Sequence, residues 1–356
     1  MIERRLDAVR TSLHSRRLDA LLVTFLPHVR YLTNFSGSNA VCFITRDAQF
    51  FLTDGRYTSQ SAEEVRSYEI IITRKSLFEE AAKRKMLRGC NRVGIEAGAL
   101  TVAQFGNLKK LFPRVKFVHV SSLLEELVAV KDDSEIRLIE HAASITEEVF
   151  EKILDVLCPG TKELDIAAEI SYLHKKFGAE ADAFEPIVAS GTRGALPHAR
   201  ASTKQIRNGE MVTLDFGCRY QGYHSDLTRT VAVGKPNAEV RKIYSVVLDA
   251  QVKAVEAASA DMKARALDAV ARKHIKSAGY GKFFNHSLGH GLGLQVHELP
   301  RLSQQSKEKL KAGNVVTIEP GIYLPNIGGV RIEDDVVIQN GSCRLLTKSS
   351  KELIVL

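Results

Sequence analysis

Asn208–Gly217 reads "NGEMVTLDFG", and Ala312–Gly321 reads "AGNVVTIEPG". Aligned, Gly209 falls on Gly313, Val212 on Val316, Thr213 on Thr317, Asp215 on Glu319 and Gly217 on Gly321, a constant offset of 104 residues. Each copy is an apolar, strand-like run with a carboxylate in its middle. A carboxylate inside a buried strand must be paired, protonated or held by a cation. One such acid would be read as a solvent-facing residue on an edge strand. Two in a repeated frame imply two similar halves about a pseudo-twofold, with both acids near its axis.

The continuation of each copy supplies further acids. In Val212–Val233, "VTLDFGCRYQGYHSDLTRTVAV", a turn centred on Tyr220-Gln221 would set Asp215 opposite Asp226. In Val316–Ile338, "VTIEPGIYLPNIGGVRIEDDVVI", a loop centred on Asn326 sets Glu319 opposite Glu333. Directly opposed side chains have Cβ atoms about 4.5–5.5 Å apart. Like charges so placed repel unless a cation lies between them. Four carboxylates about one axis suggest two divalent ions.

Histidines bracket these strands. Phe283–Pro300, "FFNHSLGHGLGLQVHELP", carries His286, His290 and His297, and Gly191–Thr203, "GTRGALPHARAST", carries His198. The glycines of "GHGLG" are not a dinucleotide fingerprint, because the spacing is wrong and a histidine stands where backbone should approach phosphate. "HELPR" is not a zincin helix, since Arg301 replaces the second histidine and Pro300 breaks the helix. A lone histidine would be read as structural; four of them around four acids favour a hydrolytic site.

The totals set the frame. At 356 residues, two domains are the default expectation. A 44% hydrophobic and 26% charged composition is that of a soluble globular chain. The longest apolar runs are strand-sized and the N-terminus lacks a secretory apolar core. The five scattered cysteines, Cys42, Cys90, Cys158, Cys218 and Cys343, read as free thiols of a cytoplasmic protein. The net charge of +8 is spread thinly over the first third of the chain, which argues for a solvated surface and against a nucleic-acid patch.

Along the chain, alternating helical and strand-like runs up to about residue 125 read as an α/β domain. "LDALLVTF" and "RVGIEA" read as strands, "VCFIT" and "QFFLTD" as a hairpin, and "SLFEEAAKRKML" and "TVAQFGNLKKLF" as helices. A short connecting helix leads to an acidic N-cap cluster, Asp132-Asp133-Ser134, so the boundary falls near 125–133 and the domains are 1–128 and 129–356. A long helix then ends at "CPGT", where Thr161 is expected to cap the next one. After Phe184, strands joined by Gly-containing turns and two helices, near 238–258 and 263–277, read as α+β with largely antiparallel sheet.

The motifs "LDFGCRYQGYHSDLTRT", "HSLGHGLGLQVHE", "VTIEPGIY" and "GGVRIEDDVVI" together resemble the pita-bread metallopeptidases, over about residues 133–350. Methionine aminopeptidase, aminopeptidase P, prolidase and metal-free creatinase share that fold. "VRYLTNFSGSNA" and "LTDGRYTSQSAEE" resemble the N-terminal domain that the Xaa-Pro enzymes carry and methionine aminopeptidases lack. The resemblance implies a creatinase N-terminal-like, ribonuclease H-like α/β domain that gates the site, followed by the α+β pita-bread catalytic domain with its internal repeat.

Position by position, the resemblance implies that Asp215 is a bidentate ligand of one metal. It makes His290 and Glu319 ligands of the other, with Asp226 and Glu333 as bridges. An oxygen-rich set with one imidazole suits Mn²⁺, with Co²⁺ and Zn²⁺ as alternatives. Glu319 doubles as general base. Arg331, two residues before Glu333 and on its face, orients the carboxylates. Tyr323 matches a tyrosine near the metals, His198 and His297 match the pair at the scissile carbonyl, and His286 with Phe184 match the proline pocket.

The function so implied is removal of the residue preceding a penultimate proline, with "TDGRY" favouring aminopeptidase P. The alternatives are prolidase, restricted to Xaa-Pro dipeptides, and an inactive relative that binds RNA or protein. A homodimer acting on proline-containing peptides, without a membrane, completes the expectation.

Overall fold

The computed structural model describes residues 2–356. Its contacts divide into two compact units, one ending at Val128 and the other comprising Ala129–Leu356.

The first unit opens with helix α1 (Ile2–Ser15), whose buried Ile2, Leu6, Val9 and Leu13 recur at helical spacing. Strands β1 (Ala20–Val23), β2 (Ala40–Thr45), β3 (Gln49–Asp54), β4 (Glu69–Thr73), β5 (Arg92–Ile95) and β6 (Lys116–His119) form one mixed sheet. Its order is β4-β3-β2-β1-β5-β6, with β2 antiparallel to β3, as the hairpin reading of these two runs predicted, and also to β1. Helices α2 (Leu26–Thr33), α3 (Thr58–Glu64), α4 (Leu77–Lys83), α5 (Val102–Leu111) and α6 (Leu123–Val128) complete it. Leu22, Phe43, Leu52, Val93 and Leu108 pack in its core. Helix α2 is additional to the sequence reading, which took "VRYLTNF" only as a motif.

The second unit is built twice. Helix α7 (Asp133–Val156) starts from a capping box: the Asp132 carboxylate accepts from the Ser134 and Glu135 amides, and Glu135 accepts from the Asp132 amide. Such a cap is worth about 1 kcal/mol. Its Ile139, Ala142, Thr146, Val149 and Ile153 face inward at helical spacing. Helix α8 (Glu163–Lys176) follows. Its N-cap is Lys162 and not Thr161, whose hydroxyl instead bonds back to the Val156 carbonyl at 3.4 Å.

After β7 (Ala181–Asp182) come β8 (Ile187–Ser190), β9 (Glu210–Phe216), β10 (Cys218–Tyr220), β11 (Tyr223–His224) and β12 (Leu227–Val233). Strands β12-β9-β8 form a sheet against α7 and α8, with Val149, Ile153, Ile170, Leu214 and Val231 in the shared core. Helices α9 (Ala238–Ala257) and α10 (Ala264–Ser277) then precede β13 (Gly289–Gly291), β14 (Glu298–Leu302) and β15 (Val315–Ile318). The chain ends with β16 (Gly321–Leu324), β17 (Gly328–Arg331), β18 (Asp334–Gln339) and β19 (Ser342–Leu345). The sheet β14-β13-β15-β18-β19 packs on α9 and α10 through Val247, Leu267, Val316 and Val336. Each half is thus a sheet backed by two helices, and the repeated strand is β9 in one and β15 in the other.

The expected registers differ in outcome. In the second hairpin, Gly321 pairs with Arg331 on one side of the break and Ile318 with Asp334 on the other, so Glu319 and Glu333 fall opposite as anticipated. In the first, Asp215 pairs with Thr228, not Asp226. The turn residues are Gln221 and Gly222, both with positive φ (45° and 83°), one residue beyond the expected centre. That backbone matches the twist of a two-residue hairpin. The slip is two positions along the return strand, which preserves the face, so Asp226 still projects to the side of Asp215.

Candidate active site

The return strand of one half lies against that of the other. The Glu333 amide donates to the Thr228 carbonyl at 3.1 Å, and the Thr228 hydroxyl donates to Glu333 Oε2 at 2.5 Å. The Asp226 amide donates to Asp335 Oδ2 at 3.0 Å, while the Arg331 amide donates to the Thr230 hydroxyl at 3.1 Å. These bonds bring the acids of both hairpins to one place. Ligand-type atoms of Asp226, His290 and Glu333 all lie within 4.8 Å of one another.

His290 is placed by the two glycines beside it. A Cβ on Gly289 would stand 2.0 Å from the Thr317 carbonyl oxygen, and one on Gly291 would stand 2.1 Å from that of Leu299. Only glycine lets β13 lie this close to its neighbours. The His290 Nδ1–H donates to the Gly291 carbonyl at 3.1 Å, leaving Nε2 to face Glu319 Oε1 at 3.4 Å and Asp226 Oδ2 at 3.7 Å. Burial, reinforced by His297, lowers its pKa to about 4, so the ring is neutral and Nε2 is a free donor pair.

Asp226 and Glu333 are almost wholly buried. Burial first, and then their mutual repulsion with Asp215 and Glu319, push both carboxyl groups well above the usual carboxylate range. Glu319 is pushed up to about 8, chiefly by burial, against the pull of Arg331. Asp226 Oδ1 is buried without a hydrogen-bond partner. Crowded acids with an orphaned oxygen, and a neutral imidazole aimed among them, are the donor set that a divalent cation satisfies. The residues fit such an ion.

Arg331 spans the cluster. It donates from Nη2 to Asp215, from Nε to the Thr228 hydroxyl at 3.2 Å, and from Nη1 to Tyr323 Oη at 2.8 Å and the Pro197 carbonyl at 3.3 Å. The chain continues from Tyr323 O–H to His286 Nε2 at 2.9 Å, and from His286 Nδ1–H to the Ser287 carbonyl at 2.8 Å. Burial, with Arg331 nearby, lowers the His286 pKa to about 3, consistent with its accepting at Nε2. Tyr323 is raised to about 12 by burial and stays protonated.

His297 reaches the surface with its ring 4.3 Å from that of His290, at 73°. His198 is exposed on the loop after β8, near enough to His286 and His297 to influence both. Ten of the eleven residues singled out from the sequence therefore meet at one locus. The eleventh, Phe184, is half-buried between β7 and β8, and its ring pairs with none of the cluster's aromatic side chains.

A model described as "Metallopeptidase family M24" matches residues 137–340, and one described as "Creatinase/Prolidase N-terminal domain" matches residues 5–130. The chain belongs to metallopeptidase family M24. Membership makes it a metal-dependent peptidase of pita-bread fold, and the cluster of Asp226, His290 and Glu333 is where the family's divalent ions fit. The Xaa-Pro dipeptidase of Pyrococcus horikoshii is 41% identical over 342 residues, 95% of each chain. The Xaa-Pro dipeptidase structure from Bacillus anthracis is 40% identical, covers both chains fully and superposes with a TM-score of 0.98. The X-Pro aminopeptidase structure from Thermotoga maritima is 36% identical, covers 95% of this chain and 98% of its own, and superposes with a TM-score of 0.90.

Sequence reasoning passed over the supports of this M24 site. Thr228 and Asp335 each bond across the axis, and neither has a like residue at its counterpart position. Arg229, fully buried, donates to Asp334 Oδ1 at 2.7 Å and to the Ser349 and Ser350 carbonyls. The one available signal was an arginine as the sole charge in a fully buried strand-like run, "LTRTVAV".

Proposed function

We propose that this protein is a divalent-metal-dependent Xaa-Pro dipeptidase. The observation that carries the reading is the sheltered group of Asp226, His290 and Glu333, flanked by Asp215 and Glu319. The names of the similar proteins support the substrate class, and they favour the dipeptidase over the aminopeptidase P reading suggested by "TDGRY".

Asp226 and Glu333 would bridge two ions, with Asp215 on one and His290 and Glu319 on the other; Mn²⁺ suits this oxygen-rich set. Bound divalent ions supply Lewis acidity and lower the pKa of an attacking water. Glu319, whose carboxylate stands at the cluster 3.4 Å from His290 Nε2, serves as the proton carrier from that water to the leaving imino nitrogen of proline. Arg331 holds Asp215 and Tyr323 in place, which fixes the neutral His286 beside the reacting centre. His198 and His297 donate to the developing oxyanion. His286 and His297 provide the surface for the proline ring. The active form is a homodimer.

Five unpaired cysteines, with Cys158 exposed, support a reducing compartment, for which the cytoplasm is proposed. Among the described residues, no helix is long and apolar enough to cross a membrane.

The test is a rate comparison on metal-loaded protein. An Xaa-Pro dipeptide should be cleaved faster than Xaa-Pro-Yaa, and Xaa-Ala hardly at all. The reverse order of the first two would establish the aminopeptidase reading, which the Thermotoga maritima likeness supports. Equal rates on Xaa-Ala and Xaa-Pro would sink the proline assignment.

A further inference from the structure

The imidazole of His198 makes no hydrogen bond among the described residues, so its position is set by the backbone of its loop. That loop leaves β8 at Ser190 and returns at Ser202, and both ends are tied to a single side chain. Glu163, in the first turn of α8, is fully buried. Its Oε1 accepts from the Ser190 amide and the Ser190 hydroxyl, both at 2.8 Å. Its Oε2 accepts from Arg193 Nε at 2.9 Å, from the Ser202 amide at 3.2 Å and from the Ser202 hydroxyl at 2.7 Å.

Five donors crowd the about four lone-pair sites of one carboxylate, so no acceptor capacity is left over. Between the tied ends, Arg193 Nη2 donates to the Arg200 carbonyl, and the Pro197 carbonyl accepts from Arg331. Lys204 Nζ braces Ser190 Oγ at 2.7 Å. The segment bearing His198 is therefore a closed ring of bonds whose clasp is Glu163.

We propose that Glu163 is a positioning residue for hydrolysis, holding His198 where it meets the substrate carbonyl. The proposal rests on the role assigned above to His198. Glutamine at 163 keeps the shape but turns one acceptor oxygen into a donor facing donors, which opens the clasp at one end.

The experiment compares the parent, Glu163→Gln, His198→Ala and the double variant, all metal-loaded, for kcat, KM, metal content and tryptic cleavage at Arg193 and Arg200. Glu163→Gln should lower kcat about 10–100-fold with KM and metal content held. Cleavage at Arg193 and Arg200 should accelerate about tenfold as the loop loosens. The double variant should be no slower than His198→Ala, because both act through one group. Multiplying effects would overturn the proposal, as would parental kcat and cleavage in Glu163→Gln while His198→Ala is slow. Parental kcat in His198→Ala would overturn the His198 role itself and this proposal with it. Should Glu163→Gln fail to fold, the combined Ser190→Ala and Ser202→Ala variant keeps the charge and the backbone bonds. It should show the same pattern at a few-fold, and parental loop cleavage there would overturn the proposal.

Discussion

The two hairpins, β9–β12 and β15–β18, share a backbone plan and divide the chemistry between them. Their outgoing strands are 104 residues apart, and their registers make the return strands 105 apart. Thr228 is then the counterpart of Glu333, Arg229 of Asp334, Thr230 of Asp335, and Asp226 of Arg331. Counterparts meet across the axis: Thr228 with Glu333, and Arg229 with Asp334. The bond from the Asp226 amide to Asp335 is matched by that from the Arg331 amide to Thr230. Backbone symmetry thus survives while charge is exchanged, each half setting a cation or hydroxyl against an acid of the other.

The same exchange separates the repeated acids. Asp215 is anchored to Arg331, whereas Glu319 faces His290 without a cation of its own and carries a raised pKa. A duplicated strand supplies two carboxylates; the unlike return strands give them unlike duties.

The largest effect expected is at the axis. Glu333→Gln and Asp226→Asn should each reduce activity below about one-thousandth of the parent rate and lower bound metal together with it. Full metal content by elemental analysis in either variant would break the view that both halves share the ions. Next is the structural pair behind it. Arg229→Met leaves Asp334 buried beside one remaining cation, Lys351, and should cost about 3–5 kcal/mol in urea unfolding. A loss under about 1 kcal/mol would show that the cross-axis charge exchange does not hold the halves together.

A smaller effect tests an element found only in the first half. Strand β7 pairs with β10, and Asp182 on it accepts from His174 at 2.7 Å and from Ser171 at 2.6 Å. Burial acts to raise the Asp182 pKa, but these bonds outweigh it and the net shift is downward. A carboxyl whose folded pKa is depressed stabilises above its unfolded value, near 3.9, and loses that contribution as pH falls through the folded one. Asp182→Asn should therefore lose about 1 kcal/mol at pH 7 relative to the parent, and the gap should narrow below about pH 4. A gap independent of pH in urea titrations would remove the ionised partner from the account.

The smallest effect concerns the turn that set the register. Gln221 holds a positive φ that asparagine adopts more readily, so Gln221→Asn should raise stability by about 0.5 kcal/mol without altering activity. A destabilised variant would place the turn elsewhere and reopen the pairing of Asp215 with Thr228.

Much of this was legible in the chain itself, because its signals are local or periodic. Alternation of apolar runs marked the strands, the Asp132-Asp133-Ser134 cluster marked the start of α7, and the offset of 104 residues marked the duplication with its acids and histidines. The acid faces were also legible, since a two-residue slip of register leaves side chains on their own side of a strand. What only the tertiary structure decided is which groups close the distances. That His290 Nε2 points at Glu319 depends on Gly289 and Gly291 lying against other strands. That Arg331 takes Asp215, that Arg229 takes Asp334, and that Glu163 clasps both ends of the His198 loop depend on contacts 116, 105 and up to 39 residues apart in sequence. Such pairings leave no periodic trace, because a buried charge is satisfied by whichever donor the packing of two halves brings within reach.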